Sequence, residues 1–402
     1  MDVQKLEKLA NNLTKNSVNF LRDIIAIPST SCNEGSVIER ISAEMHDVGF
    51  DEVTIDPMGN ILGRIGNGKH IIAMDGHVDT VGVGNPVNWK HDPFKGKLEN
   101  GIIYGRGATD MKGAMAAMVY AGKIIKDLGL EDDFTLYVTG TVQEEDCDGL
   151  CWQYIINEDK IRPEVVIIAE PTNLQIYRGQ RGRMEFEVMT EGLSSHGAAP
   201  ERGSNAIYKI APVIEEIEQL NGRLKSDDFL GKGSITISQI RSGSPSLNAV
   251  ADMCAIYLDR RLTAGETQQT AQTEIENLAS FKLAEAKINI PEYNVASYTG
   301  LHYKMQKYYA TWSLSEDHPS LQIAKNLYED LYGKKASTGK WGFSTNGVST
   351  AGIFNIPTFG FGPAHEIYAH SVDDQCPISH LTEAMKFYAA FPKFYTQSQK
   401  KL

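Results

Sequence analysis

The chain has 402 residues, of which 42% are hydrophobic and 22% charged, and its formal net charge is -12. That length exceeds one ordinary core and implies two domains. The acid excess argues against a nucleic-acid partner or an anionic membrane surface, both of which want a basic patch. No apolar run reaches the roughly 18 residues of a membrane span. The N-terminal MDVQKLEKLANNLTKN is charged and helical in pattern, without an apolar signal core. The five cysteines, Cys32, Cys147, Cys151, Cys254 and Cys376, are odd in number and form no C-x-x-C. They read as free thiols in a reducing, cytoplasmic compartment.

In chain order, helices are expected over 2–25 and 35–48, followed by strands near 61–65 and 70–75. TDMKGAMAAMVYAGKIIKDLG, from Thr109, reads as a helix closed near Gly129. FTLYVTGTV, from Phe134, is a strand, 150–157 a short helix, and EVVIIAE, from Glu164, a buried strand ending at Glu170. Strands alternating with helices imply a largely parallel α/β sheet, whose ligands sit beyond the carboxyl ends of its strands. The middle section reads differently: a strand from Gly182, a helix over 204–221, the strands SITISQIRSG and NAVADMCAIYLDRRL, a helix over 265–281 and a strand near 286–298. That order, β-α-β-β-α-β, is the ferredoxin-like split unit. A helix over 319–332, a strand in IPTFGFG and a terminal helix from Ser379 restore the first pattern. The expected architecture is therefore an α/β catalytic domain with a mixed, mostly parallel sheet, built from 1–181 and 299–402. A ferredoxin-like α+β domain, 182–298, interrupts it.

In AMDGHVDTVGVG, an apolar run ends in Asp75, His77 and Asp79. On an extended segment positions two apart share a side, so His77 and Asp79 can face one spot. Asp110, Glu144, Glu145, Glu170 and His370 also end strands or open helices. Each has an ordinary explanation alone: Asp110 as a helix cap, Glu144–Glu145 as an exposed turn, Glu170 as a strand-end acid, His370 as a surface histidine. As an ordered set at one edge of one inferred sheet they are harder to dismiss. Two histidines and three carboxylates suit zinc, and also cobalt or manganese. Two metals about 3.5–4 Å apart, bridged by one carboxylate, would use all five. HEIYAH, His365 to His370, is one residue too long for H-E-x-x-H, and GRIGNGKH has His70 where a P-loop needs Ser or Thr. There is no G-x-S-x-G elbow.

MDGHVDTV, IYGRGATDMKGAMAA, VQEEDCDG, IIAEPT, SSHGAAPERGSNAI and YAHSVDDQ occur in that order. Together they resemble the co-catalytic metal hydrolases typified by acetylornithine deacetylase, succinyl-diaminopimelate desuccinylase, aminoacylases and glutamate carboxypeptidases. The likeness runs from about residue 20 to the C-terminus. It implies two divalent cations, foremost Zn2+ with Co2+ or Mn2+ as alternatives. His77 and Glu170 would hold one, Glu145 and His370 the other, and Asp110 would bridge. Asp79 would fix the His77 ring by a hydrogen bond and Glu144 would be the general base. His196, in GLSSHGAAP, matches a lid histidine that reaches the partner subunit's site, which implies a homodimer through the lid. Asn248 and Arg260 resemble positions that bind a substrate carboxylate, with Arg261 competing. Thr345-Asn346-Gly347 replaces the family's frequent S-D-G at a substrate-binding position, and the lost charge argues against acylated diamino-acid substrates. That segment is more similar to a YgeY-like subgroup. The activity expected is hydrolysis of an N-acyl amino acid or related small substrate. Dipeptidase or carboxypeptidase activity is the alternative, and a non-catalytic ligand-binding member a remote one.

Overall fold

In the computed structural model, which describes residues 2–400, the strand His70–His77 forms the centre of a nine-stranded sheet. Successive residues Ile72, Ala73 and Met74 are fully buried, so both faces of this strand are covered. It pairs in parallel with Phe134–Thr141 on one side and Val165–Ile168 on the other. Thr358–Gly360 adds a fourth parallel strand beside Val165–Ile168. The margins are mixed. Ile61–Ile65 and Glu52–Ile55 extend one edge antiparallel. Ile176–Gln180 extends the other, with Trp312–Ser313 antiparallel and Thr338–Trp341 parallel to it. The fold class is thus α/β with a mixed sheet and a parallel centre.

The helices Val3–Ile25, Gly113–Asp127 and Ile378–Gln399 pack on one another. Gly113–Asp127 is buried along nearly its whole length, which its Ala, Met and Ile content permits. The first helix begins at Val3 because Asp2 caps it, accepting the Lys5 N–H at 3.1 Å. Regular helix after Thr109 begins only at Gly113. Asp110 (φ -124°, ψ 94°) and Met111 (φ -134°, ψ 36°) leave helical geometry, so Asp110 belongs to a connecting segment and caps nothing.

Residues 182–289, joined by Tyr308–Tyr309 antiparallel to Gly182–Glu191, build a second sheet with its own core. Gly182–Glu191 lies between Met253–Leu262 and Lys287–Asn289, Ser234–Gly243 forms an outer edge, and all pairings are antiparallel. Ala206–Arg223, Gln268–Glu276 and Ala279–Leu283 close this core around Phe186, Val188, Ile210, Ile217, Leu258 and Ile275. Apart from the short hairpin of Ser226–Asp227 and Gly231–Lys232, the order is the expected β-α-β-β-α-β. The helix expected over 265–281 breaks at Leu278, whose ψ of 136° is extended. The strand expected over 286–298 shortens to Lys287–Asn289. Pro291 has no N–H for the ladder, and Glu292–Tyr293 pairs with Met305–Gln306 instead. All five cysteines are free. No helix among the described residues is long and apolar enough to cross a membrane.

Candidate functional site

Three strand ends and two connecting segments meet at a cleft of about 320 Å³. His77 closes the central strand, Glu144 and Glu145 follow Phe134–Thr141, and Glu170 follows Val165–Ile168. Their convergence follows from the register, because parallel neighbours end together at the carboxyl edge. Asp110 and His370 come in from the connections before Gly113 and after Thr358–Gly360.

Asp110 stands between two imidazoles. His77 Nε2 lies 2.8 Å from its Oδ1, and His370 Nε2 lies 3.2 Å from its Oδ2. On the His77 side, Glu170 Oε1 is 3.4 Å and Glu144 Oε2 3.9 Å from the ring nitrogen. On the other side, Glu145 Oε2 is 2.9 Å from His370 Nε2. His77 Nδ1 donates to the Asp79 main-chain carbonyl at 2.9 Å, which leaves Nε2 for the cluster.

The charges show how tightly these groups press together. Burial opposes protonation of His77, but Glu144 and Asp110 outweigh it and hold its pKa well above the ordinary value. Hydrogen bonds to Asp110 and Glu145 push His370 up to about 10. Burial and Asp110 push Glu170 up to about 8. Burial also raises Glu144 well above the usual carboxylate range, with His77 opposing and Asp148 and Glu170 reinforcing.

The cluster fits divalent cations on its own chemistry. Two sets of potential ligand atoms converge, His77 with Asp110 and Glu145, and His77 with Glu144 and Glu170. Glu144 Oε1 and Glu170 Oε2 are buried without hydrogen-bond partners. Buried carboxylate oxygens in that condition are costly unless a cation or donor meets them. Imidazole and carboxylate donors without thiolate suit a catalytic rather than a structural zinc-type ion.

Supports behind the cluster are specific. The Asp79 carboxylate accepts the Glu144 N–H at 3.2 Å, the Glu145 N–H at 3.1 Å and the Ser31 hydroxyl at 2.7 Å. The expected hydrogen bond from Asp79 to the His77 ring runs through its main-chain carbonyl, while its carboxylate stands 3.6 Å from the ring. Gln143 bends the chain into that turn at φ +58°, and Glu34 accepts its N–H at 3.0 Å. Asp374 accepts the Gly107 and Thr109 N–H groups, each at 2.7 Å, and so ties the His370 loop to the Asp110 segment.

Substrate-contact expectations fare less well. Arg260 is fully buried, pairing with Glu266 at 2.5 Å and Glu274 at 3.2 Å. Its neighbour Arg261 lines the cleft, next to its strand partner Arg183. Thr345 and Asn346 do not face the cleft either. Thr345 donates to Gln180 at 2.6 Å, and Asn346 donates to Asp75 at 2.9 Å while accepting the Gly149 N–H at 2.8 Å. The missing charge at 346 therefore says nothing about substrate. His196 and Asn248 are exposed beside each other on the second sheet's rim, away from the cleft lining. Cleft residues that sequence reasoning missed are Asp148, Arg183, Phe343, Ser344 and Glu366. The doublet GR before Met184 and the glutamate in HEIYAH were visible but had no chemical pattern to mark them.

Residues 73–393 match the profile of Peptidase family M20/M25/M40. Over 387 residues the chain is 54% identical to a protein of Escherichia coli (strain K12) called "Uncharacterized protein YgeY", covering 96% of each. It is 27% identical over 289 residues to succinyl-diaminopimelate desuccinylase of Dinoroseobacter shibae, covering 68% of this chain and 75% of that one. In fold it is similar to aminopeptidase PepT from Bacillus cereus, with a TM-score of 0.72, 18% identity and 95% and 99% of the two chains covered. Bacillus subtilis YXEP, described as a dinuclear metal binding peptidase, superposes at a TM-score of 0.71 with 13% identity over 96% and 99% of the chains. A cleft in which one aspartate separates two histidine–glutamate pairs and a profile spanning most of the sequence lead to one conclusion: this chain belongs to the M20/M25/M40 peptidase family, metal-dependent hydrolases of amide bonds.

Proposed function

We propose that the protein is a two-metal amidohydrolase cleaving the amide bond of an N-acyl amino acid or a related small substrate. The observation that carries this reading is Asp110, whose two oxygens each meet a different histidine. In this reading His77 and Glu170 hold one cation, Glu145 and His370 the other, and Asp110 both. Zn2+ suits the donor set best, with Co2+ and Mn2+ as alternatives. Cations bound there would make a water more acidic and polarise the scissile carbonyl. Glu144 takes a proton from the attacking water. It returns that proton to the leaving nitrogen as the C–N bond breaks, and the hydroxyl stays on the carbonyl carbon. Asp79 positions the turn that presents Glu144 and Glu145. Arg261, whose Nε and Nη2 pair with Asp259 at 2.7 and 3.1 Å, takes the role expected of Arg260, meeting a substrate carboxylate with its remaining Nη1.

The catalytic body in this proposal is 1–181 with 299–402, and 182–298 is a lid through which two copies pair in the cytoplasm. His196 and Asn248 then serve the cleft of the second copy, since they lie outside the cleft of their own chain. The test is metal analysis of protein purified without chelator, followed by a panel of N-acyl amino acids and dipeptides before and after chelation. About two divalent ions per chain and chelator-sensitive hydrolysis are expected. Absence of bound metal even after adding it back would overturn the reading.

A further inference from the structure

Residues 290–307 leave the second sheet and return to the same strand of it. Lys287–Asn289 and Tyr308–Tyr309 both pair with Gly182–Glu191. Between them the chain forms a strap that crosses to the first domain. Glu292–Tyr293 pairs with Met305–Gln306 near its base. Farther out, the Tyr298 hydroxyl donates to the Gly59 carbonyl at 3.1 Å and the Thr299 hydroxyl to the Pro57 carbonyl at 2.7 Å. Tyr293, 7% exposed, turns its hydroxyl to the segment that carries the two adjacent glutamates of the cleft. It accepts from Gln143 Nε2 at 3.0 Å and donates to Asp146 Oδ2 at 3.3 Å. The same Gln143 amide reaches the Val295 carbonyl at 3.4 Å and Cys32 Sγ at 3.1 Å. Gln143 and Asp146 flank Glu144 and Glu145, so one hydroxyl spans the pair from both ends. A hydroxyl can do this because it accepts and donates at once.

Glu145 has His370 at 2.9 Å to hold its side chain, and Glu144 has no comparable partner. Glu144 Oε1 makes no hydrogen bond among the described residues, and its Oε2 stands 3.9 Å from His77 Nε2. The place of that carboxylate is therefore set by the main chain of its turn. Gln143 holds the turn at φ +58°, a conformation that non-glycine residues keep only when their surroundings enforce it. We propose that Tyr293 is a positioning residue for Glu144, its hydroxyl clamping the turn at Gln143 and Asp146 so that the base reaches the attacking water. This rests on the amidohydrolase reading above. Proton transfer needs the base within about 2.6–3.2 Å of its partner, and a misplacement of about 1 Å can cost about 100-fold in rate. Because the strap is rooted in the second sheet, that domain sets where the base stands, although Tyr293 is not among the residues lining the cleft.

Tyr293→Phe removes the hydroxyl and keeps the ring. The variant is assayed on the best substrate of the N-acyl amino acid and dipeptide panel, beside metal analysis and thermal melting. We expect kcat to fall about tenfold with KM within about twofold and metal content unchanged, because the substrate and the cations do not touch Tyr293. The same substitution in the Glu144→Gln enzyme should lower the residual kcat by less than about twofold, since the group it positions is no longer a base. Gln143→Met removes the donor at the other side of the clamp and should repeat both results if Tyr293→Phe does not fold. An unchanged kcat with a lower melting temperature would make Tyr293 a packing residue and overturn the proposal. Equal losses in the wild-type and Glu144→Gln backgrounds would overturn it too, as would a loss of metal matching the loss of kcat, which would assign the clamp to Glu145. No hydrolysis of any compound by wild type would overturn the amidohydrolase reading and this proposal with it, whereas an active wild type with an unchanged variant would sink Tyr293 alone.

Discussion

Replacing Glu144 by Gln should separate proton transfer from metal binding. The variant keeps every proposed ligand and loses the base, so metal content should hold while kcat falls by about 10²–10⁴-fold. Glu145→Gln should lose metal, because its carboxylate stands 2.9 Å from His370. Metal analysis beside turnover distinguishes the two glutamates, and an inverted result would mean their roles are exchanged. Adjacent arginines pose the same kind of question. Successive residues of the strand Met253–Leu262 face opposite ways, so Arg260 enters the second core while Arg261 meets the cleft. Arg260→Met should strand Glu266 and cost about 3 kcal/mol, read as a lower melting temperature. Arg261→Met should leave melting unchanged and raise KM for carboxylate-bearing substrates by about tenfold. The cluster at His77, Asp110, Glu145, Glu170 and His370 was legible because strand ends mark a sheet's binding edge. The choice between Arg260 and Arg261 was not, since a one-residue shift in register exchanges the faces of a strand. Asn346 was misread for a related reason. Its partner Asp75 lies 271 positions away, and no local pattern announces such a contact.

At the scale of elements, the turn carrying Glu144 and Glu145 has no helix or strand to hold it and depends on Asp79. One carboxylate accepts both glutamate N–H groups and the Ser31 hydroxyl, joining three segments beneath the cluster. Asp79→Ala should therefore loosen the presentation of both side chains at once. A fall of about 10–100-fold in metal affinity is expected, measured by competition with a chromogenic chelator. An unchanged affinity would show that the strand ends alone set the turn. Long periodic elements were readable to within a residue or two, as with Gly35–Val48 and Pro319–Tyr332. The segment before Gly113 was not. Its Ala and Met content favours helix, and the tertiary demand on Asp110 overrides that propensity. Local conflict at that point fits a site where the chain serves the cluster rather than its own preference.

For the whole molecule, the question is whether one chain makes a complete active centre. The second sheet carries Arg183 and Arg261 into its own chain's cleft, so it contributes in cis. His196 does not reach that cleft. It sits on an exposed rim bridged to Ala249, near Leu193 at 62% and Leu247 at 103% relative exposure. Apolar side chains so exposed beside a histidine are what a shared surface between copies would present. If His196 acts in the neighbour's cleft, two inactive enzymes should restore one another. His196→Ala supplies an intact Glu144, and Glu144→Gln supplies an intact His196. A mixed dimer then contains one centre with both groups and one with neither. Random exchange of subunits makes half the dimers mixed, so the mixture should recover about a quarter of wild-type activity. The mixture is denatured together, refolded with metal and assayed against each variant treated alone. Recovery would place the histidine in trans. Activity no greater than the sum of the separate variants, with mixed dimers demonstrated by differential tagging, would confine His196 to its own subunit and remove the reason for a shared centre.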